Sequence, residues 1–115
     1  MNKILVVNKP NNLTSSFVVN KLKRFFSSSK AGHSGTLDPL AEGVLVIFLG
    51  SMTKIIPFIS ENIKRYKVKM LLGLETDTLD IAGHITKSSD MKELDELYIN
   101  KVVKNFQGEY EYDPP

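Results

Sequence analysis

The twelve residues Gly32-His33-Ser34-Gly35-Thr36-Leu37-Asp38-Pro39-Leu40-Ala41-Glu42-Gly43 constrain this chain more than any other stretch. Three glycines and a proline make the run a loop, and the strongly apolar Val44 to Leu49 that follows at once reads as a buried strand. Glycines let backbone pass close to a ligand or take positive φ, while Pro39 stiffens the chain just after Asp38. An aspartate on such a loop, anchored by a buried strand, is where a nucleophile or a general base is presented. The purely structural alternative is an Asx-type turn, in which the Asp38 carboxylate accepts from backbone N–H groups.

The rest of the chain fills in around this loop. Ile4 to Val7 reads as a short strand that leaves into a turn at Lys9-Pro10. In that turn Asn12 suits the left-handed region. Thr14-Ser15 offers an N-cap for a helix through about Phe26, with Phe17, Val18, Leu22, Phe25 and Phe26 on its apolar side. Ser27 to Lys30 is a polar linker into the glycine-rich loop. After Val44 to Leu49, Gly50-Ser51 starts a helix to Phe58 that Pro57 keeps short or bent.

Residues 64–72 alternate as a half-buried strand does, and Gly83 turns a hairpin back along Ile85. Asp95 caps a helix from Glu96 to Phe106, with Leu94 and Ile99 as a hydrophobic staple and Gly108 as its stop. Tyr110 and Tyr112 begin a further strand. Strands and helices mixed without a βαβ rhythm predict an α+β fold.

At 115 residues this is one domain's worth of chain, with 42% hydrophobic and 24% charged residues, as ordinary globular domains have. No cysteine is present, which excludes disulfides and thiolate metal sites. No apolar run reaches the length of a membrane span, and Ile4 to Val7 is too short for a signal peptide, so a cytoplasmic protein is expected. The net charge of +2 conceals a division: residues 1–73 carry eleven Lys/Arg against three acids, and residues 74–115 carry four against ten. A basic first part suits a polyanionic partner, although solvated faces give the same composition.

The loop 32–43, with Ser34 keeping a hydroxyl where a threonine is usual, resembles the signature of the TruB-type pseudouridine synthases. Three further segments resemble that family's landmarks in the same order. They are Asn8-Lys9-Pro10-Asn11-Asn12-Leu13-Thr14-Ser15; then Lys64-Arg65-Tyr66 with Leu72-Gly73, Thr76-Asp77-Thr78-Leu79-Asp80 and Gly83; and last Phe106-Gln107-Gly108 with Pro114-Pro115. The resemblance implies a mixed or antiparallel sheet with flanking helices, of which residues 1–115 form the N-terminal part, with the remainder of the catalytic domain absent. It also implies isomerisation of uridine to pseudouridine in the T-loop of transfer RNA, at uridine 55, with the nucleotide flipped out of the RNA.

For the site, the resemblance implies Asp38 as the catalytic carboxylate, acting either as nucleophile or as the base that starts a glycal route, paired with an arginine later in the family's chain. It implies Tyr66 as the active-site aromatic that stacks on uracil and removes a proton. A lone tyrosine at a strand edge also packs and hydrogen-bonds without chemistry. His33, Lys9, Lys64, Arg65 and Lys67 are the expected RNA-contacting residues, with Lys9 and Pro10 also supporting the loop from behind. Asp77 and Asp80 read as turn caps rather than an acid–base pair. The isomerisation needs no redox step and no phosphate transfer, so no cofactor is implied, and two distant histidines with no cysteine give no metal site.

Two other functions fit the same residues. One is a catalytically silent RNA-binding module that uses the basic part. The other is the protein subunit of a dyskerin-like guide-RNA complex; the first strand beginning at Ile4, without an N-terminal extension, favours the stand-alone tRNA enzyme. An incomplete sheet also leaves an open edge, from which self-association is expected.

Overall fold

The computed structural model describes residues 1–59, 63–90 and 93–113. These fall into two units, Met1–Tyr66 and Lys67–Pro115. The Pro114-Pro115 landmark lies outside the described residues.

The first unit is a three-stranded antiparallel sheet with a helix on one face. Strand β1 spans Lys3–Lys9, helix α1 Ser15–Phe25, β2 Ala31–His33 and β3 Gly43–Leu49; a 3₁₀ helix, Gly50–Phe58, follows. The sheet order is β1-β3-β2. β1 and β3 pair without a slip, from Lys3 opposite Leu49 to Lys9 opposite Gly43, and His33 of β2 lies opposite Ile47. The apolar run becomes the central strand because it alone has no polar side chain to solvate on either face. Leu45, Ile47 and Leu49 point to one face and form the core with Val19 of α1, flanked by Leu5, Val7, Val18, Leu22, Phe26, Ala31 and Leu37.

On the other face Phe48 is buried, and the 3₁₀ helix packs so close that a Cβ on Gly32 would lie 2.9 Å from Ile56 Cδ1. Ile4, Val6 and Val44 on this face remain exposed. The turn from β3 into the 3₁₀ helix needs glycine: Gly50 has φ +65°, and a Cβ there would collide with Met1 O. Asn2 Oδ1 closes the same turn, accepting from Ser51 N at 2.9 Å.

Helix α1 starts as the sequence predicts, with Thr14 Oγ1 accepting from Phe17 N at 3.1 Å. Its inward stripe is Ser15, Val19, Leu22 and Phe26. Phe17 and Phe25, expected on the apolar side, are 50% and 77% exposed. They lie off the stripe that the 3.6-residue period defines, and Phe25 meets Phe26 edge to face. Strand β2 is a correction of another kind. Gly32 and His33, expected as the start of the loop, extend together with Ala31 because β3 offers them an edge to pair with.

The second unit holds a hairpin and a helix. β4 (Leu74–Thr76) and β5 (Ile85–Ser88) are antiparallel, with an irregularity at Glu75/Thr76. The connection is capped by its aspartates, as the sequence predicts. Asp77 Oδ1 accepts from His84 N, and Asp80 Oδ1 accepts from Thr78 Oγ1 and Ala82 N. The Thr78 hydroxyl, then the Ala82 N–H, hold the Asp80 carboxyl below its ordinary value of 3.8. A depressed carboxylate stabilises the turn above that value and loses the contribution as pH falls through the lowered one. Carboxyl-carbon NMR is therefore expected to show Asp80 titrating below the ordinary aspartate value, with exchange of the Ala82 amide accelerating over the same range.

Helix α2 spans Glu96–Lys104, its N-cap Asp95 accepting from Leu97 N at 3.0 Å. No residue of it is buried. It ends two residues before Phe106, where three tight backbone bonds take over, among them Phe106 N to Val103 O at 3.0 Å.

Two expected strands are absent. Residues 64–72 have no regular structure and are exposed, and Tyr110 and Tyr112 are likewise outside any strand. Alternation marks which faces a strand would present, but a strand exists only when a neighbour takes its backbone hydrogen bonds. No described residue pairs with either segment. The single Tyr110 hydroxyl proton is instead shared between the Asn105 and Gln107 carbonyls, turning the chain back on the end of α2.

Candidate active site

Asp38 opens a tight turn: its carbonyl accepts from Ala41 N at 3.0 Å, with Pro39 as the second residue of the four. The side chain is exposed, and among the described residues its carboxylate makes no hydrogen bond or ion pair. The Asx-turn alternative is thereby excluded for this aspartate. Asp77 and Asp80 show the contrast, since both spend their carboxylates on neighbouring donors. Among the described residues Asp38 alone of these three keeps both carboxylate oxygens without a hydrogen bond.

The backbone on both sides of Asp38 is held. On the N-terminal side, the buried Ser15 hydroxyl accepts from Leu37 N at 2.9 Å and donates to Leu37 O at 3.1 Å, while the Leu37 side chain packs on the core. On the C-terminal side, Pro39 O accepts from Asn12 N at 2.7 Å and from Lys9 Nζ at 3.4 Å. Asn12 takes the left-handed conformation with φ 62°, as its residue type allows. The two segments that the sequence separates by more than twenty residues are thus one structure. The Lys-Pro…Thr-Ser box is the frame, and the aspartate loop is what it frames.

Lys9 is the main correction among the site residues. It was expected among the RNA contacts as well as behind the loop. Its side chain is fully buried, and Nζ donates to Pro10 O at 2.9 Å and Leu13 O at 2.7 Å besides Pro39 O. An ammonium has three protons, and three carbonyls take them, so none is left for a phosphate. Ser15, by contrast, was overlooked as more than part of a cap. The signal was present: Thr14 already caps α1, so a second hydroxyl beside it has other work.

His33 ends β2, half-buried, with Nδ1 enclosed and unpartnered. Of the three loop glycines, Gly43 takes a positive φ, 137°, where the loop enters β3. Tyr66 lies at the end of the first unit, 63% exposed, and no hydrogen bond or ring contact ties it to the Asp38 loop among the described residues. Lys64 and Arg65 are exposed beside it, and Lys67 is exposed in the second unit. Within the first unit the structure therefore assembles Asp38, Lys9 and Ser15 into one framed loop with His33 on the neighbouring strand, and leaves Lys64, Arg65 and Tyr66 outside that frame. No group of three or more His, Cys, Asp or Glu able to hold a metal occurs among the described residues. None of their helices is long and apolar enough to cross a membrane.

Comparison with known proteins places this loop in a family. Residues 23–115 match the model of the TruB family pseudouridylate synthase (N terminal domain). Proteins named tRNA pseudouridine synthase B are similar over the chain. That of Syntrophotalea carbinolica is 44% identical over 115 residues, covering all of this chain and 38% of the relative. That of Clostridium tetani is 44% identical over all of this chain and 40% of the relative, and that of Gluconacetobacter diazotrophicus 42% over 96% and 36%. The chain spans well under half the length of these relatives. With the framed aspartate loop and a family match over most of its residues, the chain belongs to the TruB family of pseudouridylate synthases.

Proposed function

We propose that this chain supplies the catalytic aspartate of a cytoplasmic tRNA pseudouridine synthase, which isomerises uridine 55 in the T-loop. The observation that carries the reading is the Asp38 carboxylate, exposed and unpartnered on a turn whose two flanking peptides are pinned by Ser15, Asn12 and Lys9. A rigid backbone carrying a free carboxylate is what either route requires, attack at the uridine or removal of a proton from its ribose. The N1–C1′ bond breaks, the base turns, and C5 bonds to C1′; C5 then gives up its proton to solvent and N1 takes one from it. The net change is an isomerisation, so no electrons or groups enter or depart. Tyr66, exposed, is proposed to stack on the flipped uracil and to take part in the proton removal. Extruding the nucleotide costs on the order of a few kcal/mol, offset by stacking and phosphate contacts.

The name shared by the relatives supports tRNA as substrate. The test is a chimera in which residues 1–115 replace the aligned segment of the Clostridium tetani relative, assayed by tritium release from C5-labelled tRNA. Release at uridine 55 within about tenfold of the parent relative is expected. A folded chimera without release overturns the reading. The 115-residue chain by itself is expected to release little, and to self-associate at high concentration through the exposed Ile4, Val6 and Val44 face or the free sheet edges.

The basic residues give a separate prediction. Reversing Lys64, Arg65 and Lys67 to Glu in the chimera is expected to weaken T-stem-loop binding and to lower its salt dependence by about 1 for each phosphate interaction removed. Reversing Lys101 and Lys104, on α2 in the acidic part, is expected to change both far less. Affinities measured across a salt series check this, and equal losses from the two sets would exclude the basic segment as the RNA face.

A further inference from the structure

Among the described residues, one buried side-chain polar atom lacks a hydrogen-bond partner: Nδ1 of His33. Such atoms are rare, because leaving one unpaired forfeits its hydration without return. Ala31 and His33 project from β2 to the face that carries α1, since Ala31 packs on the core cluster and His33 lies opposite the buried Ile47. Between β2 and α1 is an open depression of about 400 Å³, lined by Ser16, Val19, Asn20, Ala31, Gly32 and His33. Its walls are otherwise apolar or backbone, so the side chains able to satisfy the imidazole are Ser16 and Asn20. Neither makes another side-chain hydrogen bond.

Ser16 and Asn20 are four residues apart and share a helix face. Side chains on a helix lean toward its N-terminus, so the Asn20 carboxamide reaches back over the turn that carries Ser16, and its arm is the longer. Both residues are exposed, and a rotamer change of such a side chain takes nanoseconds or less. We infer that Asn20 is a positioning residue for His33, its carboxamide N–H donating to Nδ1 and so fixing the ring proton on Nε2. The opposite arrangement needs a buried N–H pointed at a carbonyl, and an acceptor tolerates imperfect pairing better than a donor does. With Nδ1 committed, Nε2–H is a fixed donor. RNA offers acceptors in phosphate, sugar and uracil oxygens, and a donor held in one tautomer meets them without first rearranging its proton. That last step rests on the proposed function; the Asn20–His33 hydrogen bond does not.

Two histidines in the chain make the test direct. The 115-residue chain is labelled with ¹⁵N-histidine, and long-range ¹H–¹⁵N spectra are recorded, with the exposed His84 as internal reference. His33 is expected in the Nε2–H tautomer. Asn20→Ala is expected to move both its ring nitrogens toward the averaged values of a tautomeric mixture, Asn20→Gln to restore them, and Ser16→Ala to leave them unchanged. An unchanged His33 in Asn20→Ala, as a bridging water would give, overturns the inference. So does a shift produced by Ser16→Ala instead, or a parent ring protonated at Nδ1. The amide fingerprint of each variant establishes that it is folded. In the chimera, Asn20→Ala is expected to weaken T-stem-loop binding about three- to tenfold at an unaltered salt slope. A tautomer change without that loss overturns the RNA-facing role of Nε2 while the hydrogen bond stands.

Discussion

Asn in place of Asp38 in the chimera is expected to lower tritium release from C5-labelled tRNA by about 10³-fold or more, with T-stem-loop affinity within about threefold of the parent. The exchange keeps the volume and shape of the side chain and removes its charge and basicity. Because the Asp38 carboxylate accepts no hydrogen bond from the protein among the described residues, the amide deprives no donor of a partner. Backbone bonds from Ser15, Asn12 and Lys9 to the flanking residues are unaffected, so the loop keeps its geometry. The loss therefore falls on turnover rather than on folding or binding. Activity close to the parent would remove Asp38 from the chemistry. The same substitution at Asp77, whose carboxylate accepts from His84 N, is the control expected to loosen a turn and leave turnover in place.

Met in place of Lys9 is expected to destabilise the first unit by on the order of 3 kcal/mol. Methionine fills the buried space well but returns nothing to the carbonyls of Pro10, Leu13 and Pro39. Urea unfolding followed by circular dichroism reads the loss as a lower midpoint at a constant slope. The salt dependence of RNA binding separates this support from a direct interaction with phosphate. Removing a lysine that meets a phosphate would lower the salt slope by about 1, whereas removing a buried brace leaves it unchanged. An unchanged salt slope with a lower urea midpoint is the expected pair of results. Loosening of Pro39 also predicts weaker turnover in the chimera, because the Pro39 carbonyl then has Asn12 N as its remaining donor.

Much of the local structure is legible in residue types alone. The cap at Thr14, the left-handed Asn12, the hairpin about Gly83, the cap at Asp95 and the capping roles of Asp77 and Asp80 follow from residue types whose preferences act over a few residues. Apolar Val44 to Leu49 reads as a buried strand, and the fold makes it the central one. The places where pattern misled are places where a distant partner decides. Residues 64–72 alternate like a strand but have no neighbour to pair with among the described residues, whereas Ala31 to His33 carry no strand signal and pair with β3 because its edge is open.

The candidate site divides in the same way. By itself the sequence determined that Asp38 sits on a glycine-rich loop before a buried strand, with a Lys-Pro and Thr-Ser box far upstream and basic residues concentrated in the first 73. It did not determine whether that aspartate caps its own turn, nor that Ser15 clamps Leu37. It also did not show that Lys9 turns inward to three carbonyls instead of outward to a phosphate. Turn and cap preferences are set by neighbours in the chain, so they are written in the order of residues. Which buried donor meets which carbonyl depends on chain segments about thirty residues apart arriving at one point, and only the folded sheet and helix bring Lys9 to Pro39.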